Sequence, residues 1–180
     1  MKKFELTSET KIDIFGKKLF RIKALISFAD VEAGETGGWV EKEGNVNQSG
    51  NAWVSGDAMV YGNAEVYGNA MVSGDAMVSG NAMVYGDAKV SGDAMVSGDA
   101  KVSGNAMVSG DADYTTIHGF GAQFRTTTFF RCKDKKVRVA CGCFFGTIPE
   151  FREQVKNTRK GKIAEEYLMI ADLMEKHFEK

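Results

Sequence analysis

Residues 50–109 read GNAWVS GDAMVY GNAEVY GNAMVS GDAMVS GNAMVY GDAKVS GDAMVS GDAKVS GNAMVS, and GDA at 110–112 starts an eleventh unit. Each unit is six residues long: Gly, then Asn or Asp, Ala, a variable residue, Val, and Ser or Tyr. A fixed period of this kind settles architecture before any local reading. Within one unit the run A-x-V-[SY] is a short strand whose alternation sends Ala and Val to one side and the variable residue to the other. The Gly-Asn or Gly-Asp pair supplies a corner, since both residue types tolerate positive φ. A helix is a poor alternative: a period of six does not match 3.6, and one Gly per unit costs roughly 1 kcal/mol against Ala. Collagen requires Gly at every third residue, and the calcium-binding nonapeptide rolls require G-G-x-G-x-D; neither pattern occurs.

Short strands with only Ala and Val facing inward cannot bury a core alone, so they must stack into a solenoid. The V-S-G-D-A-M pattern running through 50–113 resembles the hexapeptide-repeat proteins that fold as a left-handed parallel β-helix. The segment RIKALISFADVEAGETGGWVEKEGNVNQSGNAWV (21–54) resembles the lead-in of phage and prophage hexapeptide proteins, of the polymer-forming or YdcK-like kind. The resemblance implies three units per triangular coil, so positions 18 residues apart stack in columns. One side then carries Trp53, Met71, Lys89 and Met107, the second Met59, Met77 and Met95 beside Tyr61, and the third Glu65, Met83 and Lys101 beside Tyr67 and Tyr85. Met is adaptable and polarizable, and an outward column of it calls for a cover. That cover is either a partner, a second copy included, or the chain's own lead-in or tail. At the corners, Asp57, Asp75, Asp93 and Asp111 share one edge. Asp is either an ordinary corner residue there, interchangeable with Asn, or part of an edge that takes a divalent cation or the basic tail.

Both ends of a solenoid need caps. Three parts are expected: a β cap and lead-in coil over 1–49, the solenoid over 50–113, and an α+β module over 114–180. In the first, Lys2–Leu6, Ile12–Phe15 and Leu19–Leu25 read as strands with Gly16-Lys17-Lys18 as a turn, and Trp39 as a packing residue. The repeat fails at Thr116 and Ile117. Beyond it Phe124–Cys132 and Val137–Phe145 read as a hairpin closed by Lys133-Asp134-Lys135-Lys136. Thr147 and Glu150 form a capping box for a helix with Ile148, Phe151 and Val155 on its apolar face, ended by Gly161. Ile163, Tyr167, Ile170, Ala171, Met174 and Phe178 mark a second helix, making the tail ββαα. Pairing Cys132 with Val137 puts Cys132, Cys141 and Cys143 on the helix-covered side, as core packing, with a metal or redox role as the alternative. It leaves Arg125, Arg131 and Arg138 on the other, with Arg131 and Arg138 directly opposed. Like charges so placed call for an anion or an acidic partner, and a solvated face is the alternative.

The net charge is −1, from 23 basic and 24 acidic residues, which does not suit a general nucleic-acid binder. The charge is unequally divided, with −6 over 50–113 and +5 over 114–180. No apolar run is long enough to cross a bilayer, no secretory leader is seen, and three Cys suit a reducing cytoplasm. The best-known enzymes of the resembled family are acyltransferases with a catalytic His, a pantetheine groove and loops that interrupt coils. Carbonic-anhydrase relatives use three His for zinc. This chain has two, His118 and His177, and its repeat is uninterrupted. The expectation is therefore a non-enzymatic binding or scaffold protein without cofactor or metal, a homo-oligomer that engages a host or defence protein. A CoA-dependent acyltransferase and a protein that sequesters a small anionic ligand such as a nucleotide are the alternatives.

Overall fold

The computed structural model describes residues 2–179, apart from the side chain of Asp111. The chain is mostly β, with a parallel β-solenoid between an N-terminal antiparallel sheet and a C-terminal sheet backed by two helices. The first three strands are β1 (Phe4–Ile12), β2 (Lys18–Ala24) and β3 (Thr36–Val40). Ten two-residue strands follow, from β4 (Trp53–Val54) to β13 (Met107–Val108). They stack at a separation of 18: Met59 pairs with Met77 and Met77 with Met95, Trp53 with Met71 and Lys89 with Met107, Glu65 with Met83 and Lys101 with Met83. Tyr67 and Tyr85, one storey apart, stack with ring centroids 4.9 Å apart and planes within 1°. The Ala and Val of every unit from Ala52 to Val108 are fully buried. One Ala and one Val per rung fill the narrow interior, a close-packed space with little room for a larger residue.

The polarity of the ladder dictates what can close each end. At the corners and rung edges the N–H groups donate upward: Asn51 N–H to Gly68 O, Trp53 N–H to Ala70 O, Ser55 N–H to Val72 O; within each rung the parallel pairing returns the Val N–H to the storey below. On the first storey the carbonyls that match these bonds, those of Gly50, Ala52, Gly56, Gly62 and Ala64, are left to satisfy, and on the last the N–H groups of Ser97, Lys101 and Ser109. The lead-in brings donors. Lys3 Nζ donates to Ala52 O at 2.7 Å and Gly50 O at 3.4 Å, Arg21 Nη1 to Gly56 O at 3.0 Å, and Asn45 Nδ2 to Gly62 O at 3.2 Å and Ala64 O at 2.9 Å. Strand β3 continues the second side, giving Trp39 N–H to Ala58 O and Glu41 N–H to Val60 O. The tail brings acceptors: Thr128 Oγ1 for Lys101 N–H, Tyr114 Oη for Ser97 N–H, Asp113 Oδ2 for Ser109 N–H.

Lys3 is 2% exposed, and burial draws its ammonium down from 10.5 to about 8. A neutral amine keeps two N–H donors, enough for both carbonyls. Between about pH 8 and 10.5 the folded chain holds fewer protons at this site than the unfolded chain, so stability rises with pH across that window. Cys132 acts oppositely, its thiol pushed by burial from 9 up to about 11. Comparison with Lys3→Met separates the two. The melting temperature of the natural chain, measured against that variant, is expected to climb from pH 8 to 10.5. A difference that stays flat contradicts a lysine buried at the first storey.

The tail departs from the expected ββαα. An additional strand, β14 (Tyr114–Phe120), starts where the repeat breaks and pairs with β15 (Arg125–Arg131). The expected second strand is two, β16 (Val137–Cys141) and β17 (Phe144–Thr147), joined through Gly142-Cys143 with Gly142 at φ +62. Glycine at the first central position of a two-residue loop is a hairpin signal. The four-strand sheet is covered by α1 (Ile148–Thr158) and α2 (Gly161–Phe178). The Thr147–Glu150 capping box forms, and Ile148, Phe151 and Val155 are buried. Gly161 opens α2 instead of ending α1, which stops at Thr158. In the lead-in, the expected Ile12–Phe15 strand is instead the end of β1 and a turn, with Ile14 88% and Phe15 65% exposed.

The hairpin register is one residue away from the expected one. Arg131, not Cys132, pairs with Val137, and Phe130 pairs with Arg138. The turn is one residue shorter than expected: Cys132 N–H donates to Lys136 O with Lys135 at φ +62, and the last coil holds this register, Cys132 bridging to Ala106 and Lys133 N–H donating to Asn105 O. A one-residue slip exchanges the two faces of a strand. Phe129 and Val139 accordingly pack on the helices, while Phe130, Cys132 and Ala140 extend the solenoid core. The sheet is a lid with two buried faces.

Candidate binding surfaces

Met59, Met77 and Met95 form one column on the second side, headed by Trp39. The head is built by the lead-in: Arg21 and Lys11 lie over the Trp39 ring, each 4.6 Å from its centroid, and Arg21 Nη1 is 3.4 Å from Asp57 Oδ1. Met59 packs against the buried trio Leu19, Trp39 and Tyr61. Exposure grows along the column: Met59 and Met77 are half-buried and Met95 is 46% exposed.

Two aromatic residues expected on the displayed sides belong to the cap. Trp53 is 1% exposed, edge-on to Phe4 and Phe28 at 6.2 and 5.5 Å. Tyr61 is 6% exposed. Both stand on the first storey, where the lead-in needs large apolar residues to rest on; the outward direction read from the repeat is right, but the cap covers it.

The corners are more ordered than interchangeable Asn and Asp would be. Asn51 Nδ2 donates to Asn69 Oδ1 at 3.0 Å and Asn69 Nδ2 to Asp87 Oδ1 at 3.0 Å. On the next edge Asn63 donates to Asn81 at 3.2 Å and Asn81 to Asp99 at 2.9 Å. An amide both accepts and donates and so propagates a ladder; an ionised carboxylate only accepts and ends it. Asp57, Asp75 and Asp93 cannot bond to one another in this way, and Arg21 is paired with the first. Asp111, the fourth residue expected on this edge, has its side chain outside the described residues. No group of three or more His, Cys, Asp or Glu suited to a metal ion occurs among the described residues.

The three arginines of the tail do not form one face. Arg131 lies 3.5 Å from Asp113, donates from Nη2 to Phe178 O at 2.8 Å and covers the Phe178 ring. Arg138 points the other way and holds Asp134 at 2.7 Å. Each has its own carboxylate, so the argument from opposed like charges falls with the register. Arg125 is exposed, at the mouth of a cavity of about 510 Å³ between the hairpin turns and the helices. The cavity also takes in Arg159 and Tyr167, which the sequence reading passed over as site residues. The available signal was Gly142 between two cysteines, a turn in what was read as a continuous strand. Of the thiols, Cys132 is buried, Cys141 half-buried and Cys143 exposed. His118 Nδ1 is 2.9 Å from Thr126 Oγ1, and the His177 ring meets Phe178 edge-on.

No helix among the described residues is long and apolar enough to cross a membrane. Comparison with curated proteins finds no match. Residues 64–78 match the family model described as the YdcK beta solenoid repeat, and the match lies on rungs that stack as parallel strands. The chain therefore contains a β-solenoid repeat of the kind that family model describes.

Proposed function

We propose that this protein is a non-enzymatic scaffold, a rigid prism that associates with a second copy of itself through the methionine column of its second side. The observation that carries the reading is the column itself. Met59, Met77 and Met95 are in register one storey apart, and the caps that bury Trp53 and Tyr61 leave Met95 46% exposed. Flexible thioether side chains on a stiff backbone repack against a facing copy without backbone movement. The likeness of 21–54 to phage and prophage proteins supports a phage-encoded accessory role in the host cytoplasm, with a left-handed winding and a host or defence protein as the further partner. Substitution of Met77 and Met95 by Lys together is expected to reduce the mass in light scattering to that of one chain, with an unchanged circular dichroism spectrum. Both point outward from a rung whose Val stays in the core and lie beyond the lead-in cluster that holds Met59, so the fold survives. An unaltered mass removes this surface from the account.

A further inference from the structure

The cavity in the tail has the composition of a ligand site. Its volume, about 510 Å³, lies within the range of small-molecule pockets. It opens where the β14–β15 turn, the Cys141–Phe144 hairpin turn and the C-terminal end of α1 come together. One wall is aromatic: the Phe151 ring sits 5.4 Å from Phe144 and 5.8 Å, edge-on, from Tyr167. Tyr167 is held in place by donating from Oη to Phe120 O at 3.3 Å. Thr127 Oγ1 donates to Cys141 Sγ at 3.1 Å, which fixes the thiol on the same wall.

The charge at the mouth is one-sided. Among the described residues Arg125 and Arg159 are the charged ones lining the cavity, and no carboxylate does. Among the described residues neither guanidinium has an acidic partner, whereas Arg21, Arg131, Arg138 and Arg152 all do. Arg159 donates to the neighbouring Thr158 O and to no side chain. Arg125 lies across Gly142, with Nη1 2.5 Å from where a Cβ on that glycine would stand. The tight turn thus leaves room for the guanidinium beside the cavity. Two planar cations without acidic partners, lining the same cavity as Phe144, Phe151 and Tyr167, suit an oxyanion on a flat apolar body.

We propose that this cavity binds a small aromatic oxyanion, a carboxylate or phosphate attached to a ring, with Arg125 and Arg159 holding the charge and Phe144, Phe151 and Tyr167 the ring. The site is separate from the methionine column, so either can fail without the other. The probes are phenyl phosphate and benzoate, titrated calorimetrically into the full chain, with inorganic phosphate and benzyl alcohol as the halves of the ligand. Saturable binding of phenyl phosphate or benzoate is expected, the tighter one naming the oxyanion. Each half alone, and each of Arg125→Gln and Arg159→Gln, is expected to weaken binding about tenfold or more. Cys143, exposed at the wall, gives a second readout. Its reaction with an aromatic disulfide reagent should slow when the bound probe is present. The proposal is overturned if neither aromatic probe saturates, if inorganic phosphate or benzyl alcohol binds as tightly, or if both arginine variants keep the affinity.

Discussion

Gly80→Ala is expected to destabilise the solenoid by about 2–4 kcal/mol, and Gly98→Ala by only about 1–2 kcal/mol. The two glycines share one conformation, φ +69 and φ +66. An L side chain there carries the same backbone penalty at both. They differ in what lies above them. A Cβ on Gly80 would stand 2.9 Å from Gly98 N and 3.0 Å from Gly98 O, backbone atoms of a rigid storey. A Cβ on Gly98 meets nothing within 4 Å, because the rungs above it have ended. The difference between the two variants in urea unfolding therefore isolates corner-on-corner contact, and Gly80→Val should enlarge it further. Equal losses would mean that successive corners are not stacked.

Asn45→Asp is expected to be more damaging than Asn45→Ala, although it preserves shape. Asn45 is fully buried and donates to two first-storey carbonyls, Gly62 O and Ala64 O, while accepting from Lys42 N–H at 2.9 Å. Alanine leaves the carbonyls unsatisfied, at about 1–3 kcal/mol for each buried group. A carboxylate adds a buried negative charge facing two carbonyl oxygens, and burial of this kind raises the pKa of the introduced acid. The folded chain then holds a proton that the unfolded chain releases, so the aspartate variant should lose stability as pH rises from the acid range to neutrality, while Asn45→Ala shows no such trend. If Asn45→Asp is as stable as the natural chain at neutral pH, the donor requirement at this end is wrong.

That requirement explains why part of the molecule could be read from the residues and part could not. The repeat specifies itself locally: Gly for the corner, Ala and Val for the interior, and the column spacing then follows for Met59, Met77 and Met95. The Thr147–Glu150 cap is equally local. The contacts that sequence reasoning missed are those made between a cap and the rod. Cys132 and Lys133 are bound to Ala106 and Asn105, and this holds the β15–β16 register one residue from the expected one and separates Arg131 from Arg138. Trp53 and Tyr61 obey the outward direction of their rungs and are buried by the lead-in. Nothing in the six-residue unit carries that information, because it resides in how two distant segments satisfy an exposed ladder end. The cavity by Arg125 was hidden for the same reason: its walls come from two turns and two helices that only the corrected register brings together.

The storey itself is measured most directly by through-hydrogen-bond scalar couplings in the isotope-labelled chain. The account predicts couplings from Met59 N–H to Ala76 C=O, Met71 to Ala88, Met77 to Ala94 and Met83 to Ala100, each 17 residues onward. Couplings from these four N–H groups at any other separation, or from each back to the carbonyl four residues earlier as in a helix, would contradict three rungs to a turn.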